Sequence, residues 1–125
     1  MDTVSLGSPQ SGDILWGVFD SSQGVRLHPA VVLGQNADGR FVLLVGSSKG
    51  LAGGSGPSVI QVNPGEPGFE HLGLSKATCF RQVCFRTLAQ MRAEGVSRRG
   101  VMKSSVHISR LAATMSLALK MRVIL

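Results

Sequence analysis

Apolar residues come in short blocks separated by turn-forming residues over most of the chain, and take helical spacing only near its end. Residues 1–11, with the turn-rich run Ser8-Pro9-Gln10-Ser11, read as a flexible leader. Asp13 to Phe19 reads as a first strand, and Gly17 in its interior marks a bulge or close packing. Ala30 to Gly34 has the pattern of a short buried strand, with Pro29 at its entry, where a missing N–H does least harm. Asn36-Ala37-Asp38-Gly39 is a hairpin turn signal, because Asp-Gly supplies the positive φ that tight turns require. Arg40 to Gly46 is the clearest strand, so the second and third strands are expected to pair antiparallel.

Gly50 to Ser58 reads as a flexible loop. Val59 to Val62 is a short strand ended by Asn63-Pro64-Gly65-Glu66-Pro67-Gly68, and Thr78 to Leu88 is a last long strand rich in β-branched and aromatic residues. The period then changes. Ile108, Leu111, Ala112, Met115, Ala118 or Leu119, and Arg122 fall on one helix face, with Ser104 or Ser105 as its cap. The pattern therefore predicts one mainly β domain over residues 1–125: a small antiparallel barrel or half-barrel with a C-terminal α-helix.

Composition agrees with a turn-rich domain that has a real core: 125 residues, 43% hydrophobic, 16 Gly and 5 Pro, one Trp and no Tyr. Charge adds an asymmetry. Residues 1–94 are balanced, so the whole net charge of +6 lies in residues 95–125, which hold Arg98, Arg99, Lys103, Arg110, Lys120 and Arg122 and no acid. Such a segment suits a polyanion or an acidic protein partner, and equally a solvated helix face. The N-terminus lacks the basic and apolar regions of a signal peptide, and no apolar run approaches a membrane span, which points to the cytoplasm. Cys79 and Cys84, at an odd offset on one strand, should face opposite sides and stay reduced.

Candidate chemistry concentrates at one sheet end. His28, His71 and His107 have no metal-ligand spacing, so no metal site is expected. The all-β pattern of this region offers no strand-to-helix elbow to support a serine nucleophile. The Gly-rich loop lacks the Gly-Lys-Ser/Thr ending of a phosphate-binding loop. In the predicted hairpin, however, the start of one strand lies beside the end of the other, which makes Arg26 and His28 neighbours of Ser47, Ser48 and Lys49. A cation, an imidazole and hydroxyls in one place suit phosphodiester chemistry: His moves a proton near neutral pH, and Arg or Lys stabilises charge on phosphorus. The same residues also fit a plainer role, with His28 setting up the Pro turn and the serines capping a loop.

Gly12-Asp13-Ile14-Leu15-Trp16, Phe19-Asp20, His28-Pro29-Ala30-Val31-Val32-Leu33 and Ser48-Lys49-Gly50 resemble, in order and spacing, the MazF/PemK-like toxins of type II toxin–antitoxin systems. The likeness runs over roughly residues 10 to 120, weakly through His71-Leu72-Gly73-Leu74 and Thr78. It implies an SH3-like barrel that forms a homodimer and a metal-independent, cofactor-free endoribonuclease for single-stranded RNA. It also implies inhibition by the acidic tail of an antitoxin. In that family an Arg before the Pro and a Ser or Thr at the next strand end are central. Here the Arg position is His28, Arg26 lies two residues earlier, and Ser47 alone supplies a hydroxyl at the strand end. The resemblance thus assigns His28, Arg26 and Ser47 to catalysis and Lys49 and Ser48 to RNA. Arg81 and Arg86, five apart on the last strand, would face opposite sides, so that at most one reaches RNA. The His in place of Arg leaves open a domain that binds without cleaving, or one that acts on a protein as the gyrase-poisoning toxins of this fold do.

Overall fold

The computed structural model describes residues 6–19, 26–48 and 60–120, with side chains through residue 116. Six strands run β1 (Asp13–Gly17), β2 (His28–Gln35), β3 (Phe41–Ser47), β4 (Ile60–Val62), β5 (Thr78–Arg86) and β6 (Ser97–Val101). Two helices, α1 (Leu88–Ala93) and α2 (Ser105–Lys120), and a 3-10 turn at Phe69–His71 complete the described elements. The strands form one antiparallel sheet in the order β4-β5-β3-β2-β1-β6, curled into a half-barrel.

Both faces of the sheet are covered, which is why the strands read as near-continuous apolar runs. The concave face packs Ile14, Val31, Leu33, Val42, Leu44, Phe80 and the β4 side chains against Leu72, Met102 and Leu111. The opposite face packs Leu15, Val32, Leu43, Val45 and Cys84 against Met91 of α1, Val96 and Leu6. Residues 6–11, read from sequence as part of a flexible leader, are anchored: Leu6 is buried, and the Ser11 hydroxyl donates to the Leu33 carbonyl at 2.7 Å.

The β2–β3 hairpin follows the predicted turn. Gly39 has φ of +83°, and the Asn36 side chain accepts from the Asp38 and Arg40 amides, both at 3.0 Å. Two elements depart from expectation. The last long strand stops at Arg86, because Thr87 and Gln90 form a reciprocal capping box that starts α1. Beyond it, Ser97-Arg98-Arg99-Gly100-Val101 adds β6 as an edge strand beside β1.

The α2 helix is capped by Ser104, whose hydroxyl accepts from the His107 amide at 3.2 Å. Its buried face is His107, Leu111 and Thr114, while Ile108 and Ala112, predicted to be core-facing, are exposed. The reason is a polar clamp. Arg110 donates to both Glu66 carboxylate oxygens, at 2.9 and 2.7 Å, and to the Gln61 carbonyl at 2.6 Å. His107, fully buried, places Nε2 3.3 Å from Glu66. These contacts rotate the helix toward the Asn63–Glu66 turn. The Arg110 guanidinium, chiefly, holds the Glu66 carboxyl down at about 2, against an ordinary 4.5. Among the described residues no helix is long and apolar enough to cross a membrane.

Strand parity is broken in three places, the first at Leu33, an extra residue on β2 between the Val32–Leu43 and Gly34–Val42 pairs. Val45 pairs with Gln82 but Gly46 with Phe80, so Arg81 is an extra residue on β5. Leu15 pairs with Arg98 but Ile14 with Gly100, so Arg99 is an extra residue on β6. Because of the shift at Arg81, Cys79 and Cys84 pair with Ser47 and Leu43 and lie on the same side of the sheet, correcting the expectation of opposite faces. Neither is in a disulfide, and both are buried.

Candidate functional site

A cleft of about 270 Å³ opens at the sheet end where β2 begins and β3 finishes. It is lined by Arg26, His28, Ser47 and Ser48 from the hairpin and by Trp16 and the Leu74–Lys76 segment. The hairpin register produces the first group. Ala30 pairs with Val45, and continuing the same antiparallel count puts His28 opposite Ser47. The sequence-predicted neighbourhood of Arg26, His28, Ser47 and Ser48 is therefore present. β2 begins at His28, so Arg26 stands before the strand, exposed at the rim. Lys49 and the Gly-rich loop lie outside the described residues.

The Leu74–Lys76 part of the lining comes from the β4–β5 connection, which reaches across to β6. The Leu72 backbone occupies the place where a Cβ on Gly100 would stand, so only glycine permits this contact. The approach seats Leu72 in the concave core and delivers Leu74, Ser75 and Lys76 beside Trp16. Sequence reasoning missed Trp16 and Lys76, since neither belongs to the hairpin. Gly65, Gly68 and Gly73, all with positive φ, turn the chain along this path.

Among the described residues the lining contains two cations and no carboxylate, which favours an anion there. Among the described residues no acid pairs with Arg26 or Lys76. His28 is half-buried; its Nε2 is enclosed and has no hydrogen-bond partner among the described residues, and the same holds for Trp16 Nε1. Trp16 also carries a third cation: the Arg99 guanidinium lies over its ring, 5.4 Å from the centroid. Through β6 the basic C-terminal segment thus reaches Trp16, which lines the cleft. Its neighbour Arg98 is neutralised by buried Asp13 at 3.6 Å.

Neither Arg81 nor Arg86 lines the cleft. Arg86 is a structural tie, donating to Glu94 at 3.3 Å, the Phe19 carbonyl at 3.2 Å and the Phe85 carbonyl at 2.9 Å. The expectation that these two arginines face opposite sides rested on unbroken alternation, and the extra residue is Arg81 itself. His71 sits on the surface 3.5 Å from Glu70. Among the described residues there is no group of three or more His, Cys, Asp or Glu able to hold a metal ion.

The chain matches no protein-family model, and no curated protein is significantly similar to it.

Proposed function

We propose that this chain is a MazF/PemK-like toxin of a type II toxin–antitoxin system, an SH3-like domain that cleaves single-stranded RNA in the cytoplasm without a metal. The observation that carries this reading is the cleft itself: an imidazole, hydroxyls and two cations at one sheet end, with no carboxylate among the described lining residues.

Each residue type has a role in cleavage through the ribose 2′-hydroxyl. The 2′-oxygen attacks the adjacent phosphorus, and His28 accepts its proton. With Nε2 enclosed, Nδ1 is the ring nitrogen that exchanges it. Arg26 and Lys76 stabilise charge building on the non-bridging oxygens, and the Ser47 hydroxyl orients the phosphate. The bond from phosphorus to the 5′-oxygen breaks, and that oxygen takes up a proton. The products are a 2′,3′-cyclic phosphate and a 5′-hydroxyl end.

The partners that go with this reading are single-stranded RNA, a second copy of the chain in a homodimer, and an acidic antitoxin whose tail competes for the same cations. The test is incubation of purified protein with single-stranded RNA in EDTA. Cleavage that leaves cyclic phosphate ends and is lost in His28→Ala supports the reading. Binding without cleavage favours a domain that only binds RNA. Growth arrest with neither favours a protein target.

A further inference from the structure

Arg99 is placed by an irregularity, not by strand alternation. It is the extra residue of β6, between Arg98, which pairs with Leu15, and Gly100, which pairs with Ile14. Its guanidinium then rests on the Trp16 ring, and that ring lines the cleft. Stacking uses the flat face of the guanidinium and leaves its in-plane N–H donors for another partner. No carboxylate among the described residues takes them; the nearest acid on β1, Asp13, is engaged by Arg98. An exposed cation held in one orientation, beside a cleft that already favours anions, loses little freedom on binding a phosphate.

We infer that Arg99, seated on Trp16, contacts the backbone phosphate next to the one held in the cleft. A bound single strand then leaves the cleft across Trp16 toward β6, and not along β5. This inference rests on the RNA reading and adds the direction of the strand. The alternative path along β5 would use Arg86, whose donors already hold Glu94 and the Phe19 carbonyl.

The test uses a fluorescein-labelled single-stranded RNA with 2′-O-methyl groups, which binds but cannot be cut by the proposed chemistry. Its affinity is measured by anisotropy over a range of salt for the wild type, Arg99→Ala and Arg40→Ala. Arg40 carries the same charge but sits at the hairpin turn, seven residues from Ser47, roughly 23 Å away at the rise of a strand. Arg99→Ala is expected to weaken binding about tenfold and to flatten the slope of log affinity against log salt by about 0.7. Arg40→Ala should leave that slope in place, and Arg99→Lys should retain most of it. Because Trp16 is the sole tryptophan, its emission should change on binding with the same midpoint as the anisotropy.

Tight binding with an unchanged slope in Arg99→Ala, or equal flattening in Arg40→Ala, overturns the strand direction while leaving the RNA reading intact. Failure of the wild type to bind the probe at all overturns both.

Discussion

Arg110 holds Glu66 through two parallel hydrogen bonds of 2.9 and 2.7 Å, joining α2 to the turn that follows β4. The carboxyl sits at about 2 when folded and at an ordinary 4.5 when free. A depressed folded value means that the stabilisation is complete above about 4.5 and is lost as pH falls toward about 2. Glu66→Gln should therefore lower stability by about 1–2 kcal/mol at neutral pH, after allowance for partial exposure of the pair. The gap between wild type and variant should narrow between pH 5 and pH 2. Denaturant unfolding curves across that range check this; a gap independent of pH would contradict it.

Gly100 is the point where two backbones meet, since the Leu72 carbonyl fills the space of its absent side chain. Gly100→Ala should cost about 1–3 kcal/mol by forcing the chains apart. It should also displace the segment that carries Lys76 into the cleft, so RNA affinity should fall together with the melting temperature. An unchanged melting temperature would mean that the contact is looser than described.

Lys76 lines the cleft together with Arg26. Lys76→Ala should weaken binding of single-stranded RNA and reduce the salt slope by about 0.7, as expected for one lost phosphate contact. Stability should change by less than about 0.5 kcal/mol, because the side chain is exposed. Titrations at several salt concentrations, with a thermal melt of the same sample, separate the two effects.

Cys79 and Cys84 pair with residues four apart on β3. Strand rise then separates them by about 13 Å, well beyond the reach of a disulfide. Two thiols should titrate in the unfolded protein and very few in the folded one, and a reductant should leave the melting temperature unchanged. A melting temperature that depends on reductant would contradict the register.

Much of the cleft was legible from residue order because the hairpin determines it. Asn36 to Gly39 sets a tight turn, the extra residue Leu33 shifts the count by one, and the resulting register brings His28 to Ser47. What escaped reading depended on irregularity. Ser97 to Val101 has two arginines and a glycine and no apolar alternation, yet it forms β6, because Asp13 accepts Arg98 and Trp16 accepts Arg99. The α1 helix is too short for a period to emerge, although the Thr87-x-x-Gln90 capping box was present to be read. Parity failed at the extra residues Arg81 and Arg99, which no local composition announces. The buried face of α2 was misread because a polar clamp through Arg110 and His107 outweighed the burial of Ile108.

The central claim is that the cleft cuts RNA with its own side chains. Purified wild-type and His28→Ala proteins should be incubated with a single-stranded RNA in excess EDTA, and the ends of the products identified. The account predicts cleavage by the wild type, with 2′,3′-cyclic phosphate ends, and a loss of at least about a hundredfold in rate in the variant. Equal rates for the two proteins, or intact RNA after incubation with a folded wild type, would contradict it.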